Sequence, residues 1–375
     1  MSKIDRRRFN QVLVMSGSAG FLNASLGEGA TRAGGDEVAA GSLTDVPGIK
    51  VGHFTDSRRP TGCTAMLFED EATVGVDYDG SAPGETLVVL LQPSSPVQRV
   101  HGILFGGGGP FGLQAVPGAV RFLEERKIGF DWGIPNTRIP IVVGAIIDDL
   151  VLGDARIRPD PEMAYKACEA ATHGPVAEGN VGAGAGATLG KMLTHQGLGG
   201  MKSGLGTASL RLGDVVVAAL AVVNCVGDVW DWRTGKIIAG ARRPEGKGFA
   251  NIVETIKANL REGKARSAAY FYDPVLRSTT IAVVATNVSF NKSEMTKIAM
   301  MANCGAGRVI SPYHTTGDGD QLFAVSTHRL KADIPLSAIG ALGAEAVAEA
   351  IMRAAKMATS IEGWPAYRDY TLKLQ

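Results

Sequence analysis

The stretch Thr279-Thr280-Ile281-Ala282-Val283-Val284-Ala285-Thr286-Asn287 decides how this chain is read. It is rich in β-branched residues, the pattern of a strand buried on both faces rather than of a helix. Its first residue carries a hydroxyl at the mouth of that strand, and Asp318-Gly319-Asp320 follows further down the chain. If the Ser278-Thr279 bond were cut, Thr279 would hold both a hydroxyl and an α-amine of pKa about 7.7 to 8. That amine can serve as the hydroxyl's own general base, so one residue would supply nucleophile and base. Ser-Thr-Thr can equally do no more than begin a strand, so the reading turns on the rest of the chain.

With 375 residues, 45% hydrophobic and 20% charged, the chain can bury a sizeable core and is neither disordered nor collagen-like. No Pro/Ser-rich linker divides residues 35–375, which predicts one large α/β domain. A formal charge of +1, with no Lys/Arg stripe interleaved with aromatics, argues against nucleic acid and for a small molecule or short peptide as partner. The 49 glycines cluster between apolar runs, where the backbone must turn tightly or approach a ligand. Strands are expected at 140–147, 203–212, 215–223, 279–285 and 321–326. Helices are expected at 113–125, 162–171, 251–261, 292–302 and 337–357. Apolar strands side by side need helices on their outer faces, which supports a layered α/β arrangement.

Arg6-Arg7-Arg8-Phe9 precedes an apolar stretch from Val12 to Leu26 and small residues around Ala30 and Ala39. This is the layout of a twin-arginine export signal over residues 1–34, which would deliver a folded protein to the periplasm. The apolar core is too short and polar to span a bilayer, so no membrane association is expected once the signal is removed. Its removal takes away five basic and two acidic residues, changing the net charge from +1 to −2.

Cys63, Cys168, Cys225 and Cys304 form no C-x-x-C pair and are expected to be small buried residues. The six histidines make no H-E-x-x-H cluster, and no G-x-S-x-G elbow is present, so metal-hydrolase and ordinary serine-hydrolase readings lose ground. Gly182-Ala183-Gly184-Ala185-Gly186-Ala187-Thr188-Leu189-Gly190-Lys191-Met192 departs from a phosphate loop at Ala185 and Met192, and the dinucleotide fingerprint fails too. Lys191 could by itself be a solvent-facing lysine. Asn224 ends the apolar run Val215 to Val223, where a buried amide must find hydrogen-bond partners. It can satisfy backbone there or act as an oxyanion donor. Asp318 and Asp320 read either as turn residues or as acids serving the nucleophile.

Several separated motifs then recur in one order. They are Val46-Pro47-Gly48-Ile49-Lys50-Val51-Gly52, Thr61-Gly62-Cys63-Thr64, the loop from Gly106 to Leu113, Gly182 to Lys191, Leu212-Gly213-Asp214, Val223-Asn224-Cys225-Val226-Gly227, Thr279 to Asn287, and Pro312-Tyr313-His314-Thr315 through Asp320 to Phe323. On these, spanning nearly everything after residue 45, the chain resembles the L-aminopeptidase/D-esterase family. That family also holds β-peptidyl aminopeptidases and a nylon-oligomer hydrolase, which shares the Thr-Thr-Ile start and the His-Thr-x-x-Asp-Gly-Asp-x-Leu-Phe-Ala-Val run.

The resemblance implies a four-layer α-β-β-α sandwich of the N-terminal-nucleophile type, with self-cleavage between Ser278 and Thr279 into chains 35–278 and 279–375. It implies catalytic roles for Thr279, Asn224, Lys191, Asp318 and Asp320, with Asn224 as oxyanion donor and Lys191 tuning charge. Asp148, Gly108 and Gly109 would line the substrate. Many family members carry Gly or Asn where Ser278 stands, and several carry Tyr where Asp148 stands. The expected activity is hydrolysis of an amide next to a free amino group, in peptides, β-peptides, amino-acid amides or ω-amino-acid oligomers, without metal or organic cofactor. The expected assembly is a homo-oligomer of processed two-chain units. Two alternatives stand beside it: an acyltransferase of the ornithine-acetyltransferase type, and a non-catalytic periplasmic binding protein.

Overall fold

A computed structural model describes residues 41–246, 248–264 and 278–371. The export signal expected over residues 1–34 lies outside the described residues. Nine strands build the main sheet system: β1 (Ile49–Thr55), β2 (Gly62–Asp77), β3 (Glu85–Thr86), β4 (Val100–Gly106), β5 (Val142–Ile146), β6 (Leu205–Leu212), β7 (Val215–Asn224), β8 (Thr279–Val288) and β9 (Gln321–Leu330). The longer helices among the described residues are α1 (Val116–Glu125), α2 (Pro161–Glu169), α3 (Ile252–Arg261), α4 (Lys292–Val309) and α5 (Leu336–Met357).

The hydrogen-bonded path runs β3-β5-β4-β2-β9-β8-β7-β6, with β1 also pairing with β2. The long strand β2 divides it. Residues from Gly62 to Leu67 pair with β4, residues from Thr73 to Asp77 pair with β9, and the register breaks between Leu67 and Ala72. Glu71 has φ 57° within that break, so the strand jogs there as bulged strands do. The two halves of the path pack face to face. Met66, Ile103, Phe105 and Val143 of one half share a buried cluster with Leu220, Val222, Ile281, Val283 and Phe323 of the other. The Phe105 and Phe323 rings lie 5.9 Å apart across it.

Alternation within each strand assigns the outer layers. Along β8 every residue is buried. Ile281, Val283 and Ala285 face the opposing sheet, while Ala282, Val284 and Val288 face a cluster containing Ile298 and Ala302 of α4 and Val347 and Ile351 of α5. Burial on both sides is why the sequence shows a continuous apolar run, each large side chain contributing roughly 1.5–3 kcal/mol. On the far side, Ala119 and Leu123 of α1 and Met163 and Ala167 of α2 pack on Cys63, Ala65 and Leu104. The order is therefore helix, sheet, sheet, helix. Asp160 and Asn291 cap α2 and α4 through side-chain oxygens, matching the sequence signals for helix starts.

Two expectations need adjustment. The helix expected from residue 113 begins at Val116, because a 3₁₀ turn over Gly109–Ala115 occupies the entry and Pro117 suits only the first α-helical turn. Cys63, Cys168 and Cys225 are buried as expected, but Cys304 is exposed, on the solvent side of α4.

Candidate active site

Thr279 opens β8 and Asn224 ends β7, and the antiparallel register places them opposite one another. By the same alternation, both point toward the opposing sheet and not toward the helices. The ends of two central strands thus bring a hydroxyl and an amide together at the mouth between the sheets. Directly opposed residues have Cβ atoms about 4.5–5.5 Å apart.

Asp318-Gly319-Asp320 clamps the backbone on both sides of Thr279. Ser278 forms a parallel bridge with Asp318, and its hydroxyl donates to Asp318 Oδ1. The Ser278 carbonyl oxygen accepts the Gly319 N–H at 3.0 Å. Thr280 N–H donates to Asp320 Oδ1 at 2.6 Å, and Thr315 N–H donates to Asp318 Oδ2 at 2.8 Å. One acid therefore holds the residue before Thr279 and the other the residue after it. Thr279 Oγ1 itself donates to the Ser278 carbonyl oxygen at 2.6 Å. A glycine is required between the acids: a Cβ on Gly319 would stand 2.8 Å from Thr279 Oγ1 and 2.5 Å from the Ala82 carbonyl oxygen.

Asn224 is fully buried. Its Oδ1 accepts from Thr188 N–H at 3.0 Å, from the Thr188 hydroxyl at 3.2 Å and from Lys191 Nζ at 2.9 Å. Three donors on one oxygen fix which way the amide faces, and Nδ2 donates to the Asp148 carbonyl at 3.0 Å. Lys191 also reaches the Asn224 carbonyl at 3.2 Å. Burial pulls the Lys191 ammonium down to about 8, opposed by Cys225, Asp318, Asp148 and Asp149. Lys191 is thus a buried lysine that orients Asn224, not a solvent-facing one. Thr188 was not singled out by sequence, although it lies inside the Gly-rich motif.

The Gly106–Leu113 loop borders the same mouth. Gly108 N–H donates to Asp149 Oδ1 at 2.8 Å and Gly109 N–H to the Ile147 carbonyl at 3.0 Å, so both are tied to the segment that follows β5. Both glycines have positive φ, 86° and 57°, which suits residues without a Cβ. Asp149 is completely buried and ion-paired to Arg59 at 2.6 Å. Its neighbour Asp148 is half-buried, its Oδ1 accepting from Leu150 N–H at 3.0 Å. Among the described residues no group of three or more His, Cys, Asp and Glu side chains could hold a metal ion.

The structure thus brings Ser278, Thr279, Asn224, Lys191, Asp318 and Asp320 into one connected cluster, joined to Asp148 through Asn224. Comparison with known proteins bears on its chemistry. Residues 41–367 match the model of Peptidase family S58. An uncharacterized aminopeptidase of Mycobacterium leprae is 34% identical over 365 residues, covering 87% of this chain and 93% of that protein. A 6-aminohexanoate-oligomer endohydrolase of Kocuria is 29% identical over 333 residues, covering 83% and 85%. The L-aminopeptidase D-Ala-esterase/amidase of Ochrobactrum anthropi, described as a variant of the Ntn hydrolase fold, superposes with a TM-score of 0.58 at 21% identity, covering 85% and 86%. The chain belongs to peptidase family S58 and is a hydrolase of peptide or amide bonds built on the N-terminal-nucleophile fold.

Proposed function

We propose that Thr279 is the nucleophile of a self-processed aminopeptidase or amidase acting on peptides, β-peptides, amino-acid amides or ω-amino-acid oligomers with a free amino group. The observation that carries this reading is the clamp around Thr279, in which Gly319 N–H holds the Ser278 carbonyl oxygen at 3.0 Å while the Thr279 hydroxyl lies 2.6 Å from the same oxygen. In processing, Thr279 Oγ1 bonds to the Ser278 carbonyl carbon as the carbon–nitrogen bond breaks. The hydroxyl proton passes to the departing Thr279 nitrogen, and water hydrolyses the resulting ester. In turnover the freed amine takes the hydroxyl proton, Oγ1 attacks the substrate carbonyl, and Asn224 Nδ2 with backbone N–H groups receives the oxyanion. The amine returns the proton to the leaving amine, and water releases the acyl group. Lys191 holds Asn224, Asp318 and Asp320 hold the strand mouth, and Asp148 with the Gly108–Gly109 loop borders the substrate and offers a carboxylate to its ammonium.

The enzyme acts in the periplasm, reached by twin-arginine export, as a homo-oligomer of two-chain units. This part rests on Arg6-Arg7-Arg8-Phe9, on the apolar stretch after it and on the family resemblance.

The test pairs free and N-acetylated amino-acid p-nitroanilides across pH 5 to 9. The free amines should be cleaved faster, and kcat/KM should rise as the Thr279 amine loses its proton. Equal rates would remove amine recognition, and a flat profile would remove the self-base mechanism. Added amines that appear in the products would indicate acyl transfer instead of hydrolysis.

A further inference from the structure

Behind Asp320 lies a polar network that this reaction scheme does not use. His314 Nδ1 is buried 3.3 Å from Asp320 Oδ2, within ion-pair distance but without a formed hydrogen bond, and it has no hydrogen-bond partner among the described residues. Its Nε2 lies 3.1 Å from Asn303 Nδ2. The same Asn303 nitrogen donates to Asp77 Oδ2 at 2.9 Å, and Asn303 Oδ1 accepts the Tyr313 hydroxyl at 2.9 Å. Tyr313 also stacks on the His314 ring, centroids 3.9 Å apart. Asp77 ends β2, Asn303 belongs to α4, and Asp320 immediately precedes β9, which pairs with both β2 and β8, so the network ties the outer helix layer to the sheet that carries Thr279.

The chemistry of the donors sets the imidazole's tautomer. A carboxylate at Asp77 accepts only, so Asn303 must turn its NH₂ toward it, and that same NH₂ then faces His314 Nε2. Nε2 must accept, which leaves the ring proton on Nδ1, facing Asp320. We propose that His314 is a positioning residue: held by Asn303 and Asp77 as the Nδ1–H tautomer, it aims the Asp320 carboxylate at Thr280 N–H and so fixes Thr279 at the strand mouth. This rests on the reading of Thr279 as nucleophile.

His314 has φ 54°, a conformation that Asn and Gly accept readily, so His314→Gly and His314→Asn both spare the backbone. Asn carries an amide nitrogen where Nδ1 stands, and Gly carries nothing. His314→Gly should lower kcat on the order of ten- to a hundredfold, as misplacement of a reacting group does, with KM almost unchanged, and His314→Asn should restore most of the loss. Two-bond nitrogen–proton spectra of Thr279→Ala protein, with His314 assigned by its absence from the additional His314→Asn variant, should find Nδ1 protonated and Nε2 bare. An Nε2–H tautomer, or equal kcat for His314→Gly and wild type, would overturn the proposal. The spectrum needs no turnover, so it stands apart from the nucleophile assignment, which fails instead if Thr279→Ala retains activity.

Discussion

The Thr279 hydroxyl and the Gly319 N–H meet at the same atom, the Ser278 carbonyl oxygen, at 2.6 and 3.0 Å. The proposed nucleophile and a donor able to receive the developing oxyanion thus bracket one peptide bond. Ser278 is itself anchored, its hydroxyl donating to Asp318.

Processing should therefore yield a chain ending at Ser278 and a second chain of 97 residues starting at Thr279, read by intact mass and N-terminal sequencing. Thr279→Ala should stay uncut. Gly319→Ala should cleave at least about tenfold more slowly, since its methyl would intrude on Thr279 Oγ1 and on the Ala82 carbonyl. A fully active preparation containing only full-length chain would sink the nucleophile assignment.

Asn224→Ala should lose about a hundredfold or more in kcat, the scale of a lost oxyanion donor. It also removes the side-chain oxygen that Thr188 and Lys191 share, so a drop in melting temperature should accompany the kinetic loss. Steady-state kinetics beside calorimetry separates the two effects. Unchanged kcat would remove Asn224 from the mechanism.

Stability should pass through a maximum near pH 9. Burial draws Lys191 down to about 8 and Lys202 to about 7 from an ordinary 10.5. From pH 7 to 9 the unfolded chain therefore holds more protons than the folded one, and stability rises with pH, by up to about 1.4 kcal/mol per pH unit for each group. Burial raises the thiols of Cys63, Cys168 and Cys225 above their ordinary 9.0. Above pH 9 the folded state keeps protons the unfolded chain gives up, and stability falls. Melting curves from pH 7 to 10 read both limbs, and Lys202→Met should flatten the lower one. A steady decline from pH 7 upward would contradict the assignment.

Arg59→Met should destabilise the protein by about 3–5 kcal/mol, because it leaves the Asp149 carboxylate buried without its cation. The pair is completely enclosed, and Asp149 also holds Gly108 N–H, so the loop at the site mouth should loosen and KM should rise. Denaturant titration and steady-state kinetics check both parts. A change below about 1 kcal/mol, the scale of an exposed pair, would show that the carboxylate finds another partner.

The order of strands and helices was legible because it rests on local pattern. The run from Thr279 is apolar on both faces since one face meets a sheet and the other meets α4 and α5, and Asn291 with Glu294 marks the start of α4. Thr279, Asn224, Lys191 and the Asp318–Asp320 pair were legible as chemical types at motif positions. Their joint geometry was not. Asn224 faces Thr279 only because β7 and β8 pair in that register, and Lys191 orients Asn224 only because the Gly-rich loop folds back over the end of β7. Asn303 and Asp77 gave no sequence signal, and His314, though inside a quoted motif, had no role legible there, since the three come from separate segments and meet through contacts set by packing. Residue type and periodicity are properties of neighbours along the chain, and they determined the layers and the candidate groups. Register, burial and tautomer depend on contacts between distant segments, and only the tertiary structure decided which groups meet and in what state.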